Sequence, residues 1–132
     1  MTKIIQKDLS YKLIGILFDI HNELGNEYQE KYYQRAVEES FKANGLKFER
    51  ELLVDLKYNG KKIGKYFLDF LVDGKVILEI KAVPMLRPIH FRQVLAYLKA
   101  SGLELGILAN FRPESLIFER VLNSDLIRTK NL

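Results

Sequence analysis

The chain contains no cysteine among its 132 residues. That excludes disulfides, cysteine-ligated zinc and thiol nucleophiles. Long apolar runs are also missing. Leu13-Ile14-Gly15-Ile16-Leu17-Phe18 is among the longest, far short of the ~20 residues a membrane-spanning helix needs. The opening MTKIIQKDLS has no apolar signal core, so a cytoplasmic protein that avoids the membrane is expected. There is no repeat, low-complexity tract or linker, and one domain over residues 1–132 is expected. No Ser-His-Asp order and no phosphate-binding glycine loop occurs. The two histidines, His21 and His90, lie far apart in sequence. Metal chemistry would therefore fall to carboxylates, whose hard oxygens favour Mg²⁺ or Mn²⁺ over zinc.

What is present suits a folded, soluble domain, with 48% hydrophobic and 29% charged residues. The net charge of +4 permits a polyanionic partner without requiring one. Lys57, Lys61, Lys62 and Lys65 cluster around one turn, and Arg87 and Arg92 lie near an expected helix start. Two readings stay open for the cluster: solvated lysines on a hairpin, or contacts to phosphates.

Apolar spacing predicts a helix from Asp8 to Leu24, stopped by Gly25-Asn26, and a second from about Tyr28 to Ala43, stopped by Asn44-Gly45. The period then becomes two. Strands are expected over Leu52–Tyr58, Lys61–Val72 and Val76–Val83, joined at Asn59-Gly60 and Asp73-Gly74. After Pro84 and Pro88, helical spacing returns from Ile89 to Ser101. Leu105 to Asn110 reads as a buried strand, and Leu116 to Leu122 as a last strand or short helix. The order predicts an α/β sandwich around a mixed sheet.

Glu79 and Lys81 interrupt an otherwise apolar strand and point to one face, leaving Leu78 and Ile80 for the core. A charge there is costly unless paired or bound to a metal. Asp69 interrupts the preceding strand in the same way. Whether it meets Glu79 depends on the turn. A two-residue Asp73-Gly74 turn sets Asp69 opposite Leu78, on the wrong face. A three-residue loop, Val72-Asp73-Gly74, sets it opposite Ile77 and diagonal to Glu79. A metal site therefore demands an odd loop or a bulge. Given that, Asp69 and Glu79 would hold a divalent cation that activates water against a phosphodiester. Lys81 would orient the water or offset the developing charge.

Two helices could complete the site. Glu30 and Tyr33 share a helix face, and Glu30 could be a further metal or water ligand. Gln93 and Tyr97 share another. Gln93 could touch the attacking water or the phosphate, with Tyr97 packed beneath. For each pair the plain reading is an exposed polar residue beside a core tyrosine.

These residues resemble the GxxExxY family, a branch of the PD-(D/E)XK nuclease superfamily. The resemblance runs from about Asp8 to Asn123, through HNELGNEYQEKYYQRAVEE, YFLDFLVDGKVILEIKAV and IHFRQVLAYLKASGLELGILANF. Glu27 stands at the family's leading glycine position. The Gln93-x-x-x-Tyr97 spacing is also similar to RecB-like exonucleases. The resemblance implies a restriction-endonuclease-like core: a mixed sheet with a hairpin meander and helices on both faces. It implies a Mg²⁺-dependent nuclease, with Glu30, Asp69, Glu79, Lys81 and Gln93 as site residues and Tyr33 and Tyr97 supporting. DNA is the expected partner and RNA the second candidate. Lys61, Lys62, Lys65 and Arg92 are the candidate nucleic-acid contacts. The small size makes a homodimer or larger complex a reasonable expectation. A non-catalytic nucleic-acid-binding or protein-interaction domain on the same fold is the alternative.

Overall fold

The computed structural model describes residues 5–123. The elements are α1 (Lys7–Leu24), α2 (Glu30–Ala43), β1 (Phe48–Tyr58), β2 (Lys61–Val72), β3 (Val76–Lys81), α3 (Pro88–Ser101), β4 (Leu105–Asn110) and β5 (Ile117–Leu122). They form a five-stranded sheet in the order β1-β2-β3-β4-β5. Neighbouring strands run antiparallel except β3 and β4, which are parallel. A parallel pair needs a crossover, and α3 supplies it. The segment ending at Leu122, open between strand and short helix on sequence, is a strand antiparallel to β4. β1 begins earlier than expected, at Phe48, and α2 begins at Glu30 rather than Tyr28. Among the described residues no helix is long and apolar enough to cross a membrane.

The sheet separates two cores. On one face Leu13, Leu17, Val37 and Phe41 from α1 and α2 pack on Val76, Leu78, Ile80 and Ile107. On the other, Val94 and Leu98 of α3 pack on Ile77, Leu108 and Val121. Alternation along β3 thus serves both faces. The α3 side is tight. A Cβ at Gly106 would overlap Val94 Cγ1, so only glycine lets the helix sit this close.

Alternation breaks at one place in β1 and β2. Tyr66 and Leu68 join the α3 core, yet Phe70 and Val72 join the other. In β1, Leu52 packs toward α3 and Phe48 toward α1 and α2. The pairing runs Arg50↔Phe70 and then Leu52↔Leu68, passing over Glu51 and Asp69. Glu51 has φ +54°, a conformation that side chains other than glycine adopt at a cost. Both strands therefore change face at the same step, and that step is Asp69.

Candidate active site

The register between β2 and β3 decides whether the acidic residues meet. The connecting loop is Asp73-Gly74-Lys75, with Val72 paired to Val76, Leu71 to Ile77 and Phe70 to Leu78. Asp73 and Gly74 both have positive φ, and the Lys75 N–H donates to the Val72 carbonyl at 3.0 Å. The odd loop that the site demands is present. It lies one residue later than anticipated, so Asp69 falls in line with Glu79 instead of diagonal to it. The cause is that Val72 completes the ladder and Lys75, not Val72, enters the loop.

Backbone pairing between β2 and β3 stops at Phe70↔Leu78. Beyond it the strands part, and the Asp69 side chain takes over the role of a strand carbonyl. Its Oδ2 accepts the Ile80 N–H at 2.6 Å. Its Oδ1 accepts from Gln34 Nε2 at 3.0 Å, and the same nitrogen lies 3.4 Å from Glu30 Oε2. Gln34 therefore ties the first turns of α2 to the fork between the strands. Nothing in the local sequence pattern marks this residue. It reads as one more polar helix position, and its partner is 35 residues away.

Glu79 is 4% exposed. Burial pushes its carboxyl up to about 9, and the hydrogen bond and charge of Asp69 push the same way. Lys81 opposes the shift and Glu30 adds to it. Glu30 is also raised, first by burial and then by Asp69, against the pull of Lys81 and the Ala82 backbone. Glu79 thus feels both Asp69 and Glu30, and Lys81 is the cation that the two glutamates share. Lys81 also helps to hold His90 below its usual range, after burial and ahead of Arg87. His90 Nδ1 accepts the Arg87 N–H at 2.9 Å as part of the cap of α3.

Supporting contacts fix the elements that carry these groups. Glu30 stands in the first turn of α2, where the helix dipole favours a carboxylate. The loop before it is clamped from two sides. The buried Tyr33 hydroxyl donates to the Gly25 carbonyl at 2.7 Å, and its ring stacks on Phe111 at 4.5 Å. Arg112 donates to the carbonyls of Asn26 and Tyr28 at 2.6 and 2.7 Å. Gly25, with φ +78°, makes the turn after α1 close to the position where Glu27 replaces glycine. The buried Asn110 side chain holds both the N–H and the carbonyl of Val83, at 3.0 and 2.8 Å, and so pins the chain just past Lys81. Buried His21 has its Nε2 3.0 Å from the Pro113 carbonyl, as a satisfied core histidine.

The Gln-x-x-x-Tyr pair is placed less centrally. The turn of α3 carrying Gln93 reaches the site through its backbone, since the Tyr66 hydroxyl donates to the Gln93 carbonyl at 2.6 Å. Tyr66 is itself raised by burial and then by Glu79. Among the described residues the Gln93 side chain makes no hydrogen bond to the carboxyl groups. Tyr97 lines a groove with Val54 and Leu56 of β1, and Glu49 adds to the effect of burial on its hydroxyl. Of the candidate nucleic-acid contacts, Lys61, Lys62 and Lys65 lie exposed on β2 and Arg92 exposed on α3.

The donor set suits a hard divalent cation. It offers carboxylate oxygens and more negative charge than Lys81 offsets, and burial, with Asp69 beside it, holds the pKa of the Glu79 carboxyl at about 9. Among the described residues no three of these groups are gathered in ligating geometry.

The model of the PD-(D/E)XK nuclease superfamily matches residues 7–121. The chain belongs to that superfamily. Its members generally use divalent metals, so the chain is nuclease-like in fold and in the type of site expected. Solved structures agree on the fold. The crystal structure of SSO0001 aligns with TM-score 0.52 at 20% identity, over 96% of this chain and 63% of that one. An alkaline exonuclease from Laribacter hongkongensis, LHK-Exo, aligns with TM-score 0.51 at 15% identity, over 98% of this chain and 76% of that one. The chain thus spans less than two thirds of the length of SSO0001. No curated protein matches the sequence.

Proposed function

We propose that this domain is a Mg²⁺-dependent nuclease that hydrolyses phosphodiester bonds in DNA, on the GxxExxY branch of its superfamily. The observation that carries the reading is the fork between β2 and β3. There Asp69 and Glu79 face each other beside Lys81, and the Glu79 carboxyl is driven up to about 9 by burial and by Asp69. Asp69 and Glu79 would hold the cation, with Glu30 as a further ligand delivered by α2. When bound, the cation supplies Lewis-acid polarisation of the phosphodiester and makes water easier to deprotonate.

The chain's own groups do the rest. Asp69 is held by the Ile80 N–H and by Gln34, so its oxygens need no reorganisation. Lys81 places a positive charge where negative charge develops on the phosphate. Gln93 would contact the attacking water or a phosphate oxygen. Tyr33 supports the site by fixing the start of α2, and Tyr97 by packing α3 against β1. Lys61, Lys62, Lys65 and Arg92 are assigned to the nucleic-acid backbone. A cytoplasmic setting suits this substrate.

One observation favours the second reading, a non-catalytic nucleic-acid-binding or protein-interaction domain: three ligands are not yet gathered. Cleavage of single- and double-stranded DNA and RNA with Mg²⁺ or Mn²⁺ separates the two. The nuclease reading expects cleavage that Lys81→Ala and Asp69→Asn both abolish. Salt-dependent binding without cleavage would support the second reading. Cleavage unchanged in both variants would place the chemistry elsewhere.

A further inference from the structure

The outer half of the β1–β2 hairpin has one covered face and one bare face. Leu52, Val54, Tyr66 and Leu68 pack toward α3. The residues between them point the other way, and among the described residues no helix packs on them. Leu53 pairs with Phe67, and they are 51% and 56% exposed. The next pair on that face is Asp55 and Lys65. Lys62 Nζ lies 3.2 Å from Asp55 Oδ1, so that one acid is already answered. Ile63, near the tip, is 69% exposed. An antiparallel sheet normally gives its solvent face to polar residues. Paired, exposed apolar residues there mark a binding surface.

From Asp55 to Lys65 the hairpin carries four lysines against one aspartate. Phe67 stands two residues before Asp69 on the same strand, about 7 Å along it. The bare face therefore leads from a cationic tip, across an apolar seat, up to Asp69, where the strands part.

We infer that this face seats a single-stranded stretch of nucleic acid and guides it to Asp69 and Glu79, an inference that rests on the nuclease reading. Charge complementarity selects a polyanion. The apolar seat selects one with exposed bases, because a base can lie on Phe67 and Leu53 only when unpaired. A duplex shows its phosphates and keeps its base faces stacked inside, so it would leave the seat unused. Lys62 and Lys65 flank the seat and meet the backbone.

The test uses the full chain in EDTA, where cleavage is suppressed, with fluorescein-labelled oligo-dT, oligo-U and a duplex of equal length. Fluorescence anisotropy at several salt concentrations reads the affinity. Tighter binding of single strands than of duplex is expected. Phe67→Ala should weaken single-strand binding about tenfold or more, while Phe67→Tyr keeps it. Lys65→Ala should reduce the salt slope by about one. Phe67 is exposed, so thermal melting should show both substitutions folded. Equal binding by Phe67→Ala, or duplex bound as tightly as single strands, would overturn the inference. So would a dimer seen by light scattering that Phe67→Ala dissolves without affecting oligonucleotide binding. Adding Mg²⁺ separates the two claims. Cleavage that Phe67→Ala leaves intact in both binding and rate sinks the platform and spares the nuclease. Phe67-dependent binding with no cleavage does the reverse.

Discussion

β3 and the outer half of β2 belong to the same sheet and break the ordinary rule of burial in opposite directions. In β3, Val76 through Ile80 are all buried, and one of them is the acid Glu79. In β2, Ile63 and Phe67 face solvent although both are large and apolar. A buried acid and an exposed aromatic are each unfavourable for folding alone, and each is informative for that reason. On the proposed reading, the first marks a cation site and the second a ligand surface. The strands between them part at Asp69, which joins the two regions.

The largest effect expected is on catalysis. Lys81→Ala should lower cleavage about 10²–10³-fold and leave the melting temperature nearly unchanged, read by cleavage rates beside thermal denaturation. Next comes the packing behind β3. Gly106→Ala should destabilise the fold by about 1–3 kcal/mol, because its Cβ overlaps Val94 Cγ1. Adding Val94→Ala should cost less than the two changes summed, which denaturant melts can read.

The buried acid predicts a pH dependence. The folded pKa of Glu79, about 9, lies above its ordinary value of 4.5. Its contribution to stability is fully present below about 4.5 and is lost as pH rises toward 9. In EDTA, melting temperature should therefore fall across that window. Glu79→Gln should flatten the fall and gain at least about 1–2 kcal/mol at pH 8, because folding no longer has to protonate a buried carboxyl. A smaller effect is expected at Gln34. Gln34→Ala removes the donor shared by Asp69 and Glu30, and should weaken cation binding by about 1 kcal/mol, measured calorimetrically. Smallest of all, Lys62→Ala breaks a solvent-exposed pair with Asp55, and should change stability by about 0.5 kcal/mol or less.

Much of this architecture is legible in the sequence because it depends on local pattern. Apolar spacing marks the helices, and Asn59-Gly60, with both residues at positive φ, marks the first hairpin. Asp69, Glu79 and Lys81 stand out because charges in apolar strands are rare. The loop length at Asp73-Gly74-Lys75 was narrowed to odd or even by parity, but its exact placement depends on which pair closes the ladder. Gln34, Asn110 and Arg112 were missed as supports for the site. Their partners lie 27 to 86 residues away, and a polar residue on a helix, at a strand end or in a loop carries no local mark of such contacts. The change of face at Glu51 and Asp69 was equally hidden, since it breaks the period-two rule that made the strands readable.

On the proposed reading, Asp69 and Glu79 hold a divalent cation, and the Glu79 carboxyl gives up a proton as the cation binds. Isothermal titration with Mg²⁺ or Mn²⁺ at pH 7, in two buffers of different ionisation enthalpy, tests it directly. The account predicts binding that releases about one proton and is lost in Asp69→Asn. No binding at millimolar cation, or binding with no proton released and no dependence on Asp69, would contradict it.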